Sequence, residues 1–424
     1  MATNLIPHLR STLQDLSDRP YPIVASPSNL PKRASVALIV RIQPHYDHWP
    51  STNSNRPKDL YTFFAEEWVQ HGDPEVLFIK RAARKGDRWT SHVALPGGRR
   101  DPGDADDMAA ARREAREEVG IDLCEENAIA VGSLPQRIVT TQWGKVPLMV
   151  LCPYVFLLTR HDVPPLRLQP TEVASTHWVS LRALLSPAQR TVSYEDVSNR
   201  LANQETGVKR WMLRAMLGQM LFAAIRLVPS ESLYCGTTPS NLQQDYGDTM
   251  YEKRSLLTSY LRKGFTPVPQ DTPLLLWGLT LGVMADFLDL LPPHDALALW
   301  TYPTFTPWDV RLTIWAMSYG FKARKRSEIQ RGHASGPPAA AVEEDLDVVA
   351  VPAVMQGMSS EVGLGGLGSG VERRDGNGYR SSAVGTMLEG YYDIVRKAVA
   401  VALIGRTSVV VALAAVAWSR YRRR

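Results

Sequence analysis

Glu114, Glu117 and Glu118 fall at i, i+3 and i+4 in the run Arg113-Glu-Ala-Arg-Glu-Glu-Val-Gly-Ile121. On a helix that spacing crowds three carboxylates onto one face. Like charges so placed repel unless a cation sits over them. A hard divalent ion with oxygen ligands is the natural partner, and Mg²⁺ normally brings phosphate oxygens with it. Gly97-Gly98, just upstream, permit close approach of backbone to a ligand. The chemistry these residues point to is metal-assisted reaction at a phosphate. A Glu-rich helix with interleaved arginines is also a common solvated face, so the carboxylates alone leave both readings open.

The longer string from Leu95 to Ile121, LPGGRRDPGDADDMAAARREAREEVGI, is more specific: a Gly-Gly turn, an acidic loop, then Arg-Glu-x-x-Glu-Glu-x-Gly-apolar. It resembles the Nudix box, the signature of metal-dependent hydrolases that cleave diphosphates linked to another moiety. The general box has Gly, five residues, Glu, seven residues, then Arg-Glu. Counting back from Arg113 puts Ala105 at that Glu and Arg99 at that Gly, and from Gly98 the segment is one residue longer than the common form. This Asp-rich variant resembles the coenzyme A diphosphatase branch. Asp101, Asp104, Asp106 and Asp107 are expected to orient arginines or, for most of them, to cap the helix start, where anions are favoured.

The resemblance implies an α+β fold (an α/β/α sandwich) with a mixed β-sheet between helices. It implies Mg²⁺ or Mn²⁺ on Glu114, Glu117 and Glu118, with Glu117 and Glu118 catalytic and Arg113 and Gly120 structural. The segment Glu172-Val-Ala-Ser-Thr-His-Trp178 resembles the family's Glu-Val-x-x-x-x-Trp stretch, which makes Glu172 a general base or outer ligand, or else a plain strand-edge carboxylate. The implied reaction splits coenzyme A or an acyl-coenzyme A to phosphopantetheine and adenosine 3′,5′-bisphosphate. The alternatives are another nucleoside diphosphate derivative, or a ligand-binding scaffold that no longer turns over.

Basic residues precede the box: Arg81, Arg84, Lys85 and Arg88. Arginine offers paired donors to phosphate, and Arg81 is the preferred substrate binder because it closes a predicted strand, with Gly97 and Gly98 as close backbone contacts. Any one of the four is equally well a solvated loop residue. His92 reads as a structural hydrogen-bonding group.

These residues need a scaffold. Ala34–Arg41 and Glu75–Arg81 read as buried strands, and strands are also expected at Gly132–Pro135 and from Leu148. Residues 34–291 form the expected catalytic domain, after an N-terminal helix and extended lead-in over 1–33. Residues 187–272 read as a helical insertion, although a strand can begin late in the apolar run, at Leu221–Leu227. Leu274–Leu291 resembles the Trp-Gly-Leu-Thr helix that closes the coenzyme A-type domain. An aromatic helical appendage covers 292–326. The Gly- and Pro-rich stretch 327–388 predicts a disordered linker.

Residues 389–424 predict a C-terminal hydrophobic helix, with 398–418 long enough to cross a bilayer, which needs ~20 mostly apolar residues. Arg406 interrupts it, at about 2.5–3.5 kcal/mol if it lies near the midplane. The expectation is a membrane anchor holding a cytosol-facing enzyme, at the mitochondrial outer membrane or peroxisome; the alternatives are a surface amphipathic helix or a soluble helix docked on the enzyme. If the segment spans, a chain ending near Arg326 is expected to be soluble. The N-terminal stretch does not read as a secretory signal. Three cysteines supply neither a disulfide framework nor zinc-ligand spacing. A net charge of +5 on 424 residues, partly from the terminal arginines, implies no nucleic-acid partner.

Overall fold

The computed structural model describes residues 4–26, 32–50, 57–84, 90–141, 146–195, 218–235, 273–291, 300–334, 383–388 and 390–423. The chain opens with α1 (Ile6–Asp18), which buries Leu9, Leu13 and Leu16 at helical spacing. There follow β1 (Arg33–Gln43), the short helices α2 (Leu60–Ala65) and α3 (Glu67–Gln70), and β2 (Asp73–Arg81). Two short strands, β3 (Val93–Ala94) and β4 (Gly97–Arg99), lead into α4 (Asp107–Val119), the box helix. Then come β5 (Ala128–Ser133), β6 (Arg137–Thr141), β7 (Val146–Leu158), β8 (Val173–Ser180) and α5 (Leu181–Leu185).

These strands, with β9 (Arg190–Glu195) and β10 (Met220–Arg226) excluded and β11 (Glu231–Tyr234) included, form a nine-stranded sheet in the order β11-β8-β2-β1-β7-β5. β3 pairs with β2, β4 with β1 and β6 with β7. β1 runs parallel to β7 and antiparallel to β2, so the sheet is mixed. Both faces are covered. Leu38, Val40 and Ile42 of β1 join one core with α1, α2 and α3, whereas Ala37 and Ile39 join the other with Ala111, Ala115 and Val119 of α4. Burial on both faces is why the central strands read as near-continuous apolar runs rather than an alternating pattern. The α+β sandwich expected from the box is the architecture observed.

A second, four-stranded sheet contains β9, β10, β12 (Leu275–Trp277) and, after α6 (Gly278–Asp289), β13 (Thr304–Phe305). The described parts of 187–272 are therefore mainly strands, not the helices expected there; residues 196–217 and 236–272 lie outside the described residues. β10 falls where a late strand was expected. β11 completes the edge of the large sheet, though all four of its side chains are exposed, so no apolar periodicity marked it. The closing helix begins at Gly278 rather than Leu274, because Leu275–Trp277 pair with β10.

The tail also differs from expectation. Helix α7 (Trp308–Ala334) continues beyond the expected end at Arg326, through helix-favouring Arg, Lys, Glu and Gln residues. Within the stretch read as linker, α8 (Ala383–Leu388) buries Val384, Met387 and Leu388; residues 335–382 lie outside the described residues. Helix α9 (Tyr391–Arg422) begins inside the core: Tyr391, Tyr392, Val395 and Ala398 are fully buried. A chain ending near Arg326 would leave that part of the core empty.

Candidate active site

Helix α4 sets the site. Asp106 caps it, accepting from the Ala109 amide at 2.7 Å, and Gly120 ends it in the left-handed conformation (φ 77°), the usual helix stop. Ala110, Ala111 and Ala115 are buried. Their small side chains let the helix backbone approach the sheet and carry Glu114 and Glu118 in with it.

The Gly-Gly turn receives those two carboxylates. Glu118 is 1 % exposed, and its Oε2 accepts from the Gly97 amide at 2.9 Å. Glu114 lies against Gly98 so closely that a Cβ there would stand 2.3 Å from its Oε1. Gly97 is hemmed in by β1 instead: its Cβ would meet the Ser35 carbonyl oxygen at 2.3 Å.

Glu172 arrives from the turn before β8. Arg84 Nη2 donates to its Oε1 at 2.7 Å, and Arg84 Nε donates to the Thr171 carbonyl at 2.7 Å. The loop that carries it hangs on the end of α4, where the Arg167 and Gln169 amides donate to the carbonyls of Val119 and Glu118, each at 3.0 Å. Gly120 serves this docking as well as the helix stop, since a Cβ there would lie 2.9 Å from Arg167 Cβ.

Glu114, Glu118 and Glu172 thus converge, with carboxylate oxygens all within 4.8 Å of one another. Among the described residues they are the one cluster with metal-ligand spacing. Burial, reinforced by the charges of Glu114 and Glu172, pushes the Glu118 carboxyl up to about 8, against a hydrogen bond from Gly97 and the positive charge of Arg81. Burial also raises Glu114, opposed by Arg113. Three converging carboxylates with too little cationic compensation are a donor set that a hard divalent ion fits.

Glu117 stands outside this cluster. Its side chain is 52 % exposed, and Oε2 accepts from Arg113 Nη1 at 2.9 Å. Arg113 is the hub behind the site. It donates to Asp104 Oδ1 at 3.0 Å, to Glu114 Oε1 at 3.0 Å and to the Arg99 carbonyl at 2.9 Å. The hydrogen bond from Arg113 holds the Asp104 carboxyl below its ordinary range. Of the acidic loop, then, Asp106 caps, Asp104 orients Arg113, and Asp107 is bound by Arg33 Nε at 2.8 Å. His92 packs its ring 4.9 Å from that of Trp277.

Arg84 was legible only as one of four basic residues. Its partner lies 88 positions away, so no local spacing could assign it. The same holds for Glu172 beside Glu118. Lys85 and Arg88 lie outside the described residues.

The NUDIX domain family profile matches residues 68–213. An uncharacterized protein of Schizosaccharomyces pombe is 31 % identical over 333 residues, covering 77 % of this chain and 86 % of that protein. The mitochondrial coenzyme A diphosphatase of Homo sapiens is 41 % identical over 56 residues, 13 % of this chain and 24 % of that enzyme. A Caenorhabditis elegans Ap4A hydrolase complex aligns at 18 % identity and a TM-score of 0.22, covering 35 % of this chain and 80 % of that one; so low a score says nothing about substrate. With the box geometry, the domain profile and the sequence relatives together, the chain belongs to the Nudix superfamily and is a Nudix hydrolase.

Proposed function

We propose that the enzyme hydrolyses the diphosphate of coenzyme A or an acyl-coenzyme A, releasing a phosphopantetheine and adenosine 3′,5′-bisphosphate. The observation that carries a metal-dependent diphosphatase is the convergence of Glu114, Glu118 and Glu172. The coenzyme A assignment is supported by the Asp-rich form of the box and by the short match to the human coenzyme A diphosphatase.

Glu114 and Glu118 would hold Mg²⁺ or Mn²⁺, with Glu117 joining from the rim once it leaves Arg113. Bound there, the ion supplies positive charge at the phosphate oxygens and lowers the pKa of an attacking water. Glu172 is the candidate base. Arg84 occupies its Oε1, which leaves Oε2 to accept the water's proton. Arg81 is close enough to Glu118 for its charge to be felt there, and is the proposed partner of the substrate phosphates. Gly97 and Gly98 seat the buried Glu118 and the partly buried Glu114 and present close backbone to the substrate. Water adds to one phosphorus, the anhydride P–O bond breaks, and two phosphate monoesters leave.

Helix α9 supports a membrane tether. It is 32 residues long, with a mean hydropathy of 2.2 over its most apolar 18 residues, only 6 % of which are buried. The catalytic reading is tested by incubating the purified full chain with coenzyme A, acyl-coenzyme A and nucleotide sugars, with and without Mg²⁺ or Mn²⁺, and identifying products by mass. Metal-dependent release of adenosine 3′,5′-bisphosphate is expected. Turnover of nucleotide sugars alone would overturn the coenzyme A assignment, and binding without turnover of any of them would overturn hydrolysis.

A further inference from the structure

The first half of α9 belongs to the enzyme's core. Tyr391 donates from its hydroxyl to the Pro303 carbonyl at 2.7 Å, and burial continues at intervals to Ala402. From Ile404 onward every described residue except Arg406 is exposed. Arg406 itself pairs in bidentate fashion with Asp309, in the first turn of α7. The charge that interrupts the apolar run is thereby neutralised and fastened to the body at the point where α9 leaves it.

That fastening shortens the reach. Thr407–Trp418 is the apolar run beyond Arg406, 12 residues or about 18 Å of helix. A bilayer's hydrocarbon core is about 30 Å, and runs of roughly 10–14 apolar residues are typical of re-entrant or interfacial segments. Four arginines follow Trp418 at positions 420, 422, 423 and 424, and crossing would drag all of them through hydrocarbon.

A second exposed apolar surface begins at the same level. Trp308, Leu312, Trp315 and Tyr319 lie at i, i+4, i+7 and i+11 along α7, and are 77, 55, 59 and 67 % exposed. Spacing of that kind makes one continuous stripe. Trp and Tyr are the side chains that settle at the headgroup level.

We propose that this enzyme enters a membrane from one side without crossing it. Thr407–Trp418 lies along the interface of a single leaflet, the aromatic stripe of the antiparallel α7 rests on the headgroups behind it, and the terminal arginines reach the anionic lipid surface by snorkelling. The inference rests on reading α9 as a membrane tether and specifies its topology: the C-terminus stays on the enzyme's own side.

The test uses the full chain with a C-terminal epitope, expressed in cells from which sealed membranes are isolated. The membrane fraction should contain the protein, and protease added outside should remove the epitope and the catalytic domain together without detergent. An epitope protected until detergent is added shows crossing and overturns the topology while leaving the tether intact. Protein found wholly in the soluble fraction overturns both. The double variant Trp315→Ala, Tyr319→Ala, changed only on the exposed stripe, should bind phosphatidylcholine vesicles containing phosphatidylserine about tenfold more weakly than the parent. Unchanged binding would remove α7 from the contact. Equal binding to vesicles lacking phosphatidylserine would remove the anionic surface.

Discussion

Gly98→Ala adds one carbon and isolates one contact. Alanine is allowed by the backbone there, since Gly98 is not among the positive-φ residues. The new Cβ would lie 2.3 Å from Glu114 Oε1, 2.4 Å from its Cδ and 2.6 Å from its Oε2. Ordinary contact begins at 3.4 Å, so the carboxylate must retreat by about 1 Å. It is the end of a flexible side chain, so the fold should survive with a change within ~1 kcal/mol. Displacement of that size in a reaction centre costs on the order of 10²-fold in rate, about 2.7 kcal/mol of transition-state stabilisation. The assay is kcat as a function of Mg²⁺ concentration, alongside thermal unfolding. A roughly hundredfold fall in kcat, a higher metal requirement and a near-normal Tm are expected. Parental turnover at parental Mg²⁺ would refute the reasoning, because Glu114 could not then be acting from the position Gly98 gives it.

Glu118→Gln should lose at least ~10³-fold in kcat while Glu117→Gln, half exposed outside the cluster, loses less; equal losses would place both in the reaction centre. Arg84→Ala removes the guanidinium that donates to Glu172 and should lower kcat about 10–100-fold with little change in KM, partly restored by Lys. His177, buried between the Ser175 and Ser232 hydroxyls at 2.8 Å each, is driven down to about 4 by burial and by Lys80. Its neutral form is favoured on folding, so its contribution is intact above the unfolded value near 6.5 and is lost as pH falls toward 4. Urea unfolding should show about 2 kcal/mol less stability at pH 5 than at pH 7 from this residue, and His177→Gln should flatten that dependence. Removing residues from Tyr391 onward empties the places of two buried tyrosines and should cost more than about 5 kcal/mol, read as loss of cooperative unfolding, whereas ending the chain after Arg406 should preserve it.

What could be read from the sequence was whatever is local. The box helix, its glycine stop and the central strands are written in contiguous residues whose periodicity or capping is visible along the chain. Glu172 was found through a short resemblance, but its place beside Glu118 depends on backbone bonds from Arg167 and Gln169, which no side-chain pattern encodes. Glu117 and Glu118 look alike in sequence; the sheet underneath separates them, burying one and leaving the other with Arg113. The apolar stretch of α9 carries two environments, and hydropathy cannot tell a helix half packed on Tyr302 and Phe321 from one half exposed. β11 went unread because all four of its side chains are exposed, which leaves no apolar periodicity, and because its side-chain partners Arg41 and His177 are distant in sequence.

The two hydrogen bonds from the Arg167 and Gln169 amides to the last carbonyls of α4 make the loop that carries Glu172 an extension of the helix rather than an independent lid. Glu172 cannot swing away unless the helix end frays and disturbs Glu118 too. In the proposed reaction the acidic trio is therefore in place before any substrate arrives, and selectivity would arise in whatever grips the rest of the molecule, not in building the corner on demand.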